Sequence, residues 1–294
     1  MMKIDFHVHL TPPEIIRDYQ KIGEREPYFK LLSDSPKNKF ATAEDVVAEL
    51  ERTGVDKAVV FGFGFRDPGL CQFVNDYVAE AVRNYPDRLI GFAIVNPNDA
   101  KVEQELDRCM ALGLQGVGEI FPDGQHFVIE DPKRSSAFAS LVQERNLPLI
   151  VHSNEPVGHY YAGKTTTTPV KLAAFVEHNP ELTVIFAHWG GGLFFYELMP
   201  ELKAKYQNVY YDTAASPFLY RPQVYKVAQE IGILDKILLG SDFPLLSPAR
   251  NLREMALSGL NADEQSLISG GNALRLFETM AAKTGNHGRK RLVN

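Results

Sequence analysis

Eight short apolar runs, each followed by a stretch of helical pattern, constrain this chain more than any other feature. They lie at 3–10 (KIDFHVHL), 57–64 (KAVVFGFG), 88–95 (RLIGFAIV), 115–121 (QGVGEIF), 148–153 (PLIVHS), 182–190 (LTVIFAHWG), 208–214 (NVYYDTA) and 237–244 (ILLGSDFP). They are rich in Val, Ile and Phe, nearly continuous rather than alternating, and bounded by turn residues. That is how strands buried on both faces of a parallel sheet read. Between them, Thr42 and Asp45 make a near capping box, with Asp in place of Glu or Gln. The pattern VVAELER continues that helix, and Gly54 is its stop signal. Similar patterns predict helices over 68–85, 98–112, 132–146, 169–178, 193–206 and 217–231. Eight strands separated by helices predict a (β/α)8 barrel, a TIM barrel with its site at the C-terminal ends of the strands. A doubly wound open sheet is the alternative, but no Gly-x-Gly-x-x-Gly follows the first run.

The chain has 294 residues, of which 45% are hydrophobic and 23% charged, enough for one large barrel core. That barrel is expected over 1–283. A polar segment at about 23–41 lies just past the first strand end, where a small cap would overhang the barrel mouth. Residues 284–294 (TGNHGRKRLVN) read as a basic tail without apolar period. A net charge of −6 argues against nucleic acid or an anionic membrane as the main partner. A small molecule, including a carboxylate, is compatible with it, as is a homo-oligomer. The two cysteines, Cys71 and Cys109, fall in amphipathic helical patterns, so neither a disulfide framework nor a Cys-rich metal site is expected. The start MMKIDFHVHL lacks the pattern of a signal peptide, and no run reaches the length of a membrane span. The expectation is a cytoplasmic protein.

Residues that ligate metals collect at the ends of these runs. His7 and His9 are two apart in a strand, so both imidazoles project to one side while Val8 points away. Two convergent imidazoles are half of a tetrahedral zinc-like shell. The fourth run ends near Glu119, the fifth in His152, the sixth at His188 and the eighth at Asp242. A parallel barrel brings all strand C-termini to one face, so these residues would meet there. Burying so many ionisable groups together without a cation would be costly.

The ordered set Asp5-Phe6-His7-Val8-His9, Val151-His152-Ser153, Ala187-His188-Trp189-Gly190-Gly191 and Gly240-Ser241-Asp242-Phe243-Pro244 resembles the amidohydrolase superfamily. More narrowly it resembles the amidohydrolase-2 branch, with its aminocarboxymuconate-semialdehyde decarboxylase-like enzymes. Gly271-Asn272-Ala273-Leu274-Arg275-Leu276-Phe277 is similar to that branch's C-terminal helix. The resemblance covers residues 3 to about 280. It implies that His7, His9 and His152 are metal ligands, and that Asp242 touches both the metal and its water. His188 is implied either as an acid/base beside one ion or as a ligand of a second. Glu119 decides between those schemes: it is a bridging ligand, or an acceptor that orients a histidine N–H. Its small neighbours Gly116, Val117 and Gly118 would let it approach a cation closely. The expected cofactor is a divalent metal, zinc for preference, with one ion favoured and two allowed.

The reaction explains the metal. A zinc-like ion with one open position lowers the pKa of its water from about 16 to about 7. Asp242 could then move the proton while His188 or the metal polarises a carbonyl. The expectation is hydrolysis of an amide, ester or lactone of a small molecule. The alternative is a non-oxidative decarboxylase of an aromatic or unsaturated acid, and a third reading is a ligand-binding barrel without catalysis.

Around the mouth, His159, Tyr160 and Lys164 in the loop after the fifth run are candidate substrate contacts, with Lys164 or His159 suited to an anion. Trp189 is a candidate pocket wall or part of the barrel packing, Arg66 and Arg221 are candidate anion anchors, and Thr213 and Ser216 candidate supports. His126, His178 and His287 read as structural or surface residues. The run Gly190-Gly191-Gly192 lacks the Lys-Ser/Thr of a phosphate loop and reads as a tight turn after His188.

Overall fold

The apolar runs become eight strands that all point the same way. In the computed structural model, which describes residues 2–37 and 39–283, β1 is Ile4–His9, β2 Lys57–Phe61, β3 Leu89–Gly91 and β4 Val117–Ile120. Next come β5 Leu149–Val151, β6 Val184–Phe186, β7 Val209–Asp212 and β8 Ile237–Leu238. The basic tail 284–294, with His287, lies outside the described residues. Pairing is parallel throughout, β1 to β3 in one ladder and β4 to β8 in another, in sequence order. Two seams close the ring. Ala93 N donates to Gly116 O at 2.9 Å and Gly118 N to Ala93 O at 2.8 Å. Phe6 N donates to Leu239 O at 2.6 Å and His9 N to Phe243 O at 2.8 Å. The result is the (β/α)8 barrel that the alternation of runs and helices predicts.

Strand period sets the two faces of β1. Phe6 stacks on Phe277 of the C-terminal helix Asn272–Lys283, with ring centroids 5.6 Å apart, so even-numbered positions pack outward against helices. Asp5, His7 and His9 therefore point into the barrel. Helix starts follow local chemistry. Thr42 and Asp45 form the expected box: Asp45 N donates to Thr42 Oγ1 and Thr42 N to Asp45 Oδ2, and Gly54 ends the helix at φ +65°. Asp67, Asp131 and Ser247 cap helices whose first residue is a proline, where the missing N–H does no harm.

Two predicted helices are interrupted, both at prolines. The stretch 193–206 splits into a 3-10 turn, Leu193–Leu198, and a helix, Pro200–Lys205. The stretch 217–231 splits into Ser216–Leu219 and Gln223–Ile231, with Tyr220 extended ahead of Arg221-Pro222. Proline removes a helical donor and biases the preceding residues toward extended backbone. The segment after β1 carries two helices, Pro13–Gly23 and Pro27–Ser33. Among the described residues no helix is long and apolar enough to cross a membrane.

Candidate metal centre

The β1 histidines are held by the far side of the barrel. Asp212, the last residue of β7, accepts from the backbone N–H groups of His188 at 3.0 Å and Ala214 at 2.9 Å through Oδ1. Its Oδ2 lies 2.8 Å from His7 Nδ1 and accepts its N–H, which leaves the lone pair of His7 Nε2 aimed at the barrel axis. Around that nitrogen lie His9 Nε2 at 3.3 Å, Glu119 Oε2 at 3.7 Å and Asp242 Oδ1 at 3.8 Å. His9 Nε2 is 3.3 Å from Asp242 Oδ1 and 3.8 Å from Glu119 Oε2. Four ligand-type atoms thus surround one point.

A second set faces the other carboxylate oxygen of Glu119. Asn154 Oδ1 accepts from Thr165 N at 2.7 Å, which fixes it as an acceptor. His152 Nε2, 3.0 Å from that oxygen and 3.0 Å from Gly163 O, must then carry its hydrogen. His152 Nδ1 is left facing Glu119 Oε1 at 3.0 Å and His188 Nε2 at 3.3 Å. His188 Nδ1 donates to Ala214 O at 3.0 Å, so its Nε2 also faces inward, 3.6 Å from Glu119 Oε1.

In their neutral forms His7, His152 and His188 all present lone pairs to carboxylates. Such an arrangement requires positive charge between them, as bound protons or as a metal ion. Burial opposes protonation of His7, but Asp212, Glu119 and Asp242 outweigh it and push its pKa up to about 9. Burial likewise opposes charge on His188, yet Glu119, Asp242 and Asp212 push it up to about 10. Burial would raise Glu119, but His152 and His7 hold it well below the usual carboxylate range. Asp242 is also lowered: the His9 hydrogen bond and the charges of His7 and His188 overcome its burial. The donor set fits a divalent ion. Nitrogen and oxygen atoms are mixed, the histidine tautomers are fixed from behind, and charge is demanded in the middle.

Local backbone sets these side chains. His188 and Asp242 sit in the left-handed region, at φ +57° and +66°, which costs about 1–3 kcal/mol for a non-glycine residue. Gly190, Gly191 and Gly192 all have positive φ and make the expected tight turn after His188. Gly118 is required for a different reason from the one the sequence suggests. At φ +118°, a Cβ there would sit 2.4 Å from the Ile150 carbonyl oxygen, so the constraint is β5 rather than a cation.

A cavity of about 460 Å³ opens above the cluster. Its walls are aromatic and aliphatic: Phe29 and Phe40 from the segment after β1, Phe63 and Phe121 just past the ends of β2 and β4, and Phe218 from the short helix Ser216–Leu219. His159 lines it. The other candidate contacts are placed elsewhere. Tyr160 is 71% exposed and is not in the wall. Lys164 Nζ donates to the carbonyls of Val157 and His159, bracing its own loop instead of offering a free charge. Trp189 is fully buried, donates to Ser216 Oγ at 2.9 Å and packs on Phe194 and Tyr225, away from the cavity. Its own φ of +61°, following that of His188, turns the indole into the barrel wall. Arg66 is occupied by Arg25 O and by His126. Sequence reasoning missed Asp212 and Asn154 as orienting groups, although Asp212 is a carboxylate at a strand end like those it did select.

A (β/α)8 barrel with imidazoles and carboxylates converging from β1, β4, β5, β6 and the segment after β8 defines a class of metal-dependent enzyme. The chain belongs to the amidohydrolase family, in the branch of the Amidohydro_2 model, which matches residues 4–279. It is 25% identical over 236 residues to the 2-amino-3-carboxymuconate-6-semialdehyde decarboxylase of Dictyostelium discoideum, a match covering 65% of this chain and 63% of that protein. The chain thus spans less than two thirds of that relative's length. The crystal structure of 5-carboxyvanillate decarboxylase from Sphingomonas paucimobilis superposes with a TM-score of 0.78 at 16% identity, covering 94% of this chain and 99% of the other. The enzyme of the same name from Novosphingobium aromaticivorans, complexed with manganese and 4-hydroxy-3-methoxy-5-nitrobenzoic acid, gives a TM-score of 0.76. It is 19% identical, with coverages of 94% and 96%.

Proposed function

We propose that this protein is a metal-dependent carboxy-lyase acting on a small aromatic or unsaturated carboxylic acid. The observation that carries the reading is the placement of the ligand cluster at the floor of a cavity walled by phenylalanines. Phe121 is part of that wall and packs on the cluster's edge, its ring centroid 4.5 Å from that of His152. Such walls suit a flat unsaturated body and exclude water from the carbon that must be protonated. The decarboxylase relatives support the same reading, and they move it from the hydrolysis that the sequence motifs favour to the alternative.

The overall change is RCOO⁻ + H⁺ → RH + CO2. His7, His9, Asp242 and Glu119 would hold a divalent ion, which when bound supplies positive charge to the substrate's oxygens. Manganese in a relative makes it a choice beside the zinc expected from the ligand types. Asp242, which is 3.3 Å from His9 Nε2 and lines the cavity, would hold the proton bound for the substrate carbon. His188 Nε2, on the opposite side of Glu119, orients the substrate's polar edge. The phenylalanines fix the ring above both.

A hydrolytic use of the same site is favoured by one feature, the two faces of Glu119. Its Oε2 belongs to the His7/His9/Asp242 set and its Oε1 to the His152/His188 set, an arrangement suited to two ions and an activated water. Assaying the manganese- and zinc-loaded protein for CO2 release from hydroxybenzoates and unsaturated acids, beside a panel of esters, lactones and amides, separates the two. CO2 release without ester, lactone or amide cleavage is expected, and the reverse pattern refutes the lyase. Asp242→Asn should lower turnover by about 100-fold or more while metal content is largely kept. Near-normal turnover would remove Asp242 from proton transfer.

A further inference from the structure

One buried polar side chain serves the phenylalanine wall without being part of it. Gln125, in the turn after β4, is 1% exposed and lines no part of the cavity. Its Oε1 accepts from Phe121 N at 3.0 Å, and its Nε2 donates to Phe65 O at 3.1 Å and to Val95 O at 2.8 Å. One N–H and two carbonyls as partners leave a single orientation of the amide. Those partners lie past the ends of β2, β3 and β4, across the seam where the two ladders meet, so one rigid plane ties three loops together. The β2 and β4 loops are in close contact there. A Cβ on Gly64 would stand 3.0 Å from Glu119 O, 3.3 Å from Phe121 Cβ and 3.4 Å from Gln125 Cδ. Glu26, between the two helices that follow β1, holds the same β2 loop, accepting from Arg66 N at 3.1 Å and Asp67 N at 2.8 Å. The rings on these segments form a chain that ends at the ligand cluster. Centroids are 5.4 Å apart from Phe29 to Phe63, 5.6 Å from Phe63 to Phe121 and 4.5 Å from Phe121 to His152.

We infer that Gln125 is a positioning residue for substrate selection: it sets Phe121 against Phe63 and, through that wall, the preference for a flat unsaturated acid over an aliphatic one. This rests on reading the ligand cluster as the place where a carboxylate is held. The carboxylate end meets the cluster whatever body it carries. The body gains affinity only from rings that stand at the right spacing, because dispersion contacts are forfeited over a fraction of an ångström. An amide suits this joint: it pairs two carbonyls and one N–H that would otherwise be buried without partners. Gln125 touches no substrate and acts through Phe121 alone.

Calorimetric titration of the manganese-loaded full-length protein with benzoate and with acetate tests the role. In the parent, benzoate should bind about tenfold tighter or more, the scale of partly burying one ring. Two near-isosteric variants remove the tie: Gln125→Glu keeps the acceptor for Phe121 N but loses both donors, and Gln125→Met loses all three bonds. Each should lose most of the benzoate advantage while acetate affinity stays that of the parent. Any loss of buried hydrogen bonds lowers a melting temperature, so the ratio of the two affinities is the readout. A charge brought in by Gln125→Glu acts on both acids alike and cancels in that ratio. A ratio unchanged in both variants, or an equal loss for both acids, overturns the positioning role and leaves Gln125 a structural residue. Failure of both acids to bind the parent overturns the carboxylate reading of the cluster together with it.

Discussion

At the scale of single residues, the ligand cluster depends on groups that never touch the ion. Asp212 accepts a hydrogen bond from the His7 Nδ1–H while two backbone N–H groups hold it still, and Asn154 does the corresponding work for His152. Replacing Asp212 with Asn keeps the shape but removes the charge and one acceptor. Metal affinity measured by chelator competition should fall about 10–100-fold, with the circular dichroism spectrum unchanged. An affinity within a factor of two of the parent would show that His7 needs no such support. The paired histidines of β1 were legible because strand period alone places them on one side. Asp212 and Asn154 were not, because their role depends on which backbone N–H lies opposite, and that is set by contacts far apart in sequence. Of the two readings of Trp189, barrel packing is the one the structure bears out, and the letters could not choose it because nothing in them reports that His188 and Trp189 both turn left-handed.

At the scale of elements, β4 and β5 press together so closely at Gly118 that the barrel admits no side chain there. Gly118→Ala should lower stability by about 3 kcal/mol or more, through both the positive φ and the approach to the Ile150 carbonyl. A thermal melt checks this, and a melting temperature unchanged from the parent would mean that β4 can shift without cost. The Thr42 cap offers a milder contrast: Thr42→Ala should cost about 1 kcal/mol and leave the metal centre untouched. Strand and helix order could be read from the run pattern, since each element repeats the same local chemistry. The splits at Pro200 and Pro222 had a visible cause in the sequence, but helical periodicity on either side masked it.

For the whole molecule, the cluster couples folding to pH. The folded pKa of His7 lies near 9 and that of His188 near 10, both above the ordinary value of 6.5. Protons held more tightly in the folded than in the unfolded chain stabilise the fold. That contribution is complete below about pH 6.5 and is lost as pH rises through 9 to 10. The melting temperature of the metal-free protein should therefore decline between pH 7 and pH 10. The metal-loaded protein should lack this decline, because the ion supplies the positive charge instead. Loading near pH 7 should release protons, visible as a dependence of the binding heat on the buffer's ionisation enthalpy. A flat pH profile without metal would mean that the histidines are neutral in the folded state.

The burial of Trp189 has an optical consequence. It is the single tryptophan of the chain, shielded from solvent, and it follows His188 directly. Its emission is therefore that of one indole in one dry environment, without contributions from other tryptophans to subtract. A paramagnetic ion such as manganese seated at the cluster should quench that light, while diamagnetic zinc at the same place should leave it bright. The protein thus carries a native lamp next to its candidate metal centre, one that would report which ion has arrived without a label or a substrate.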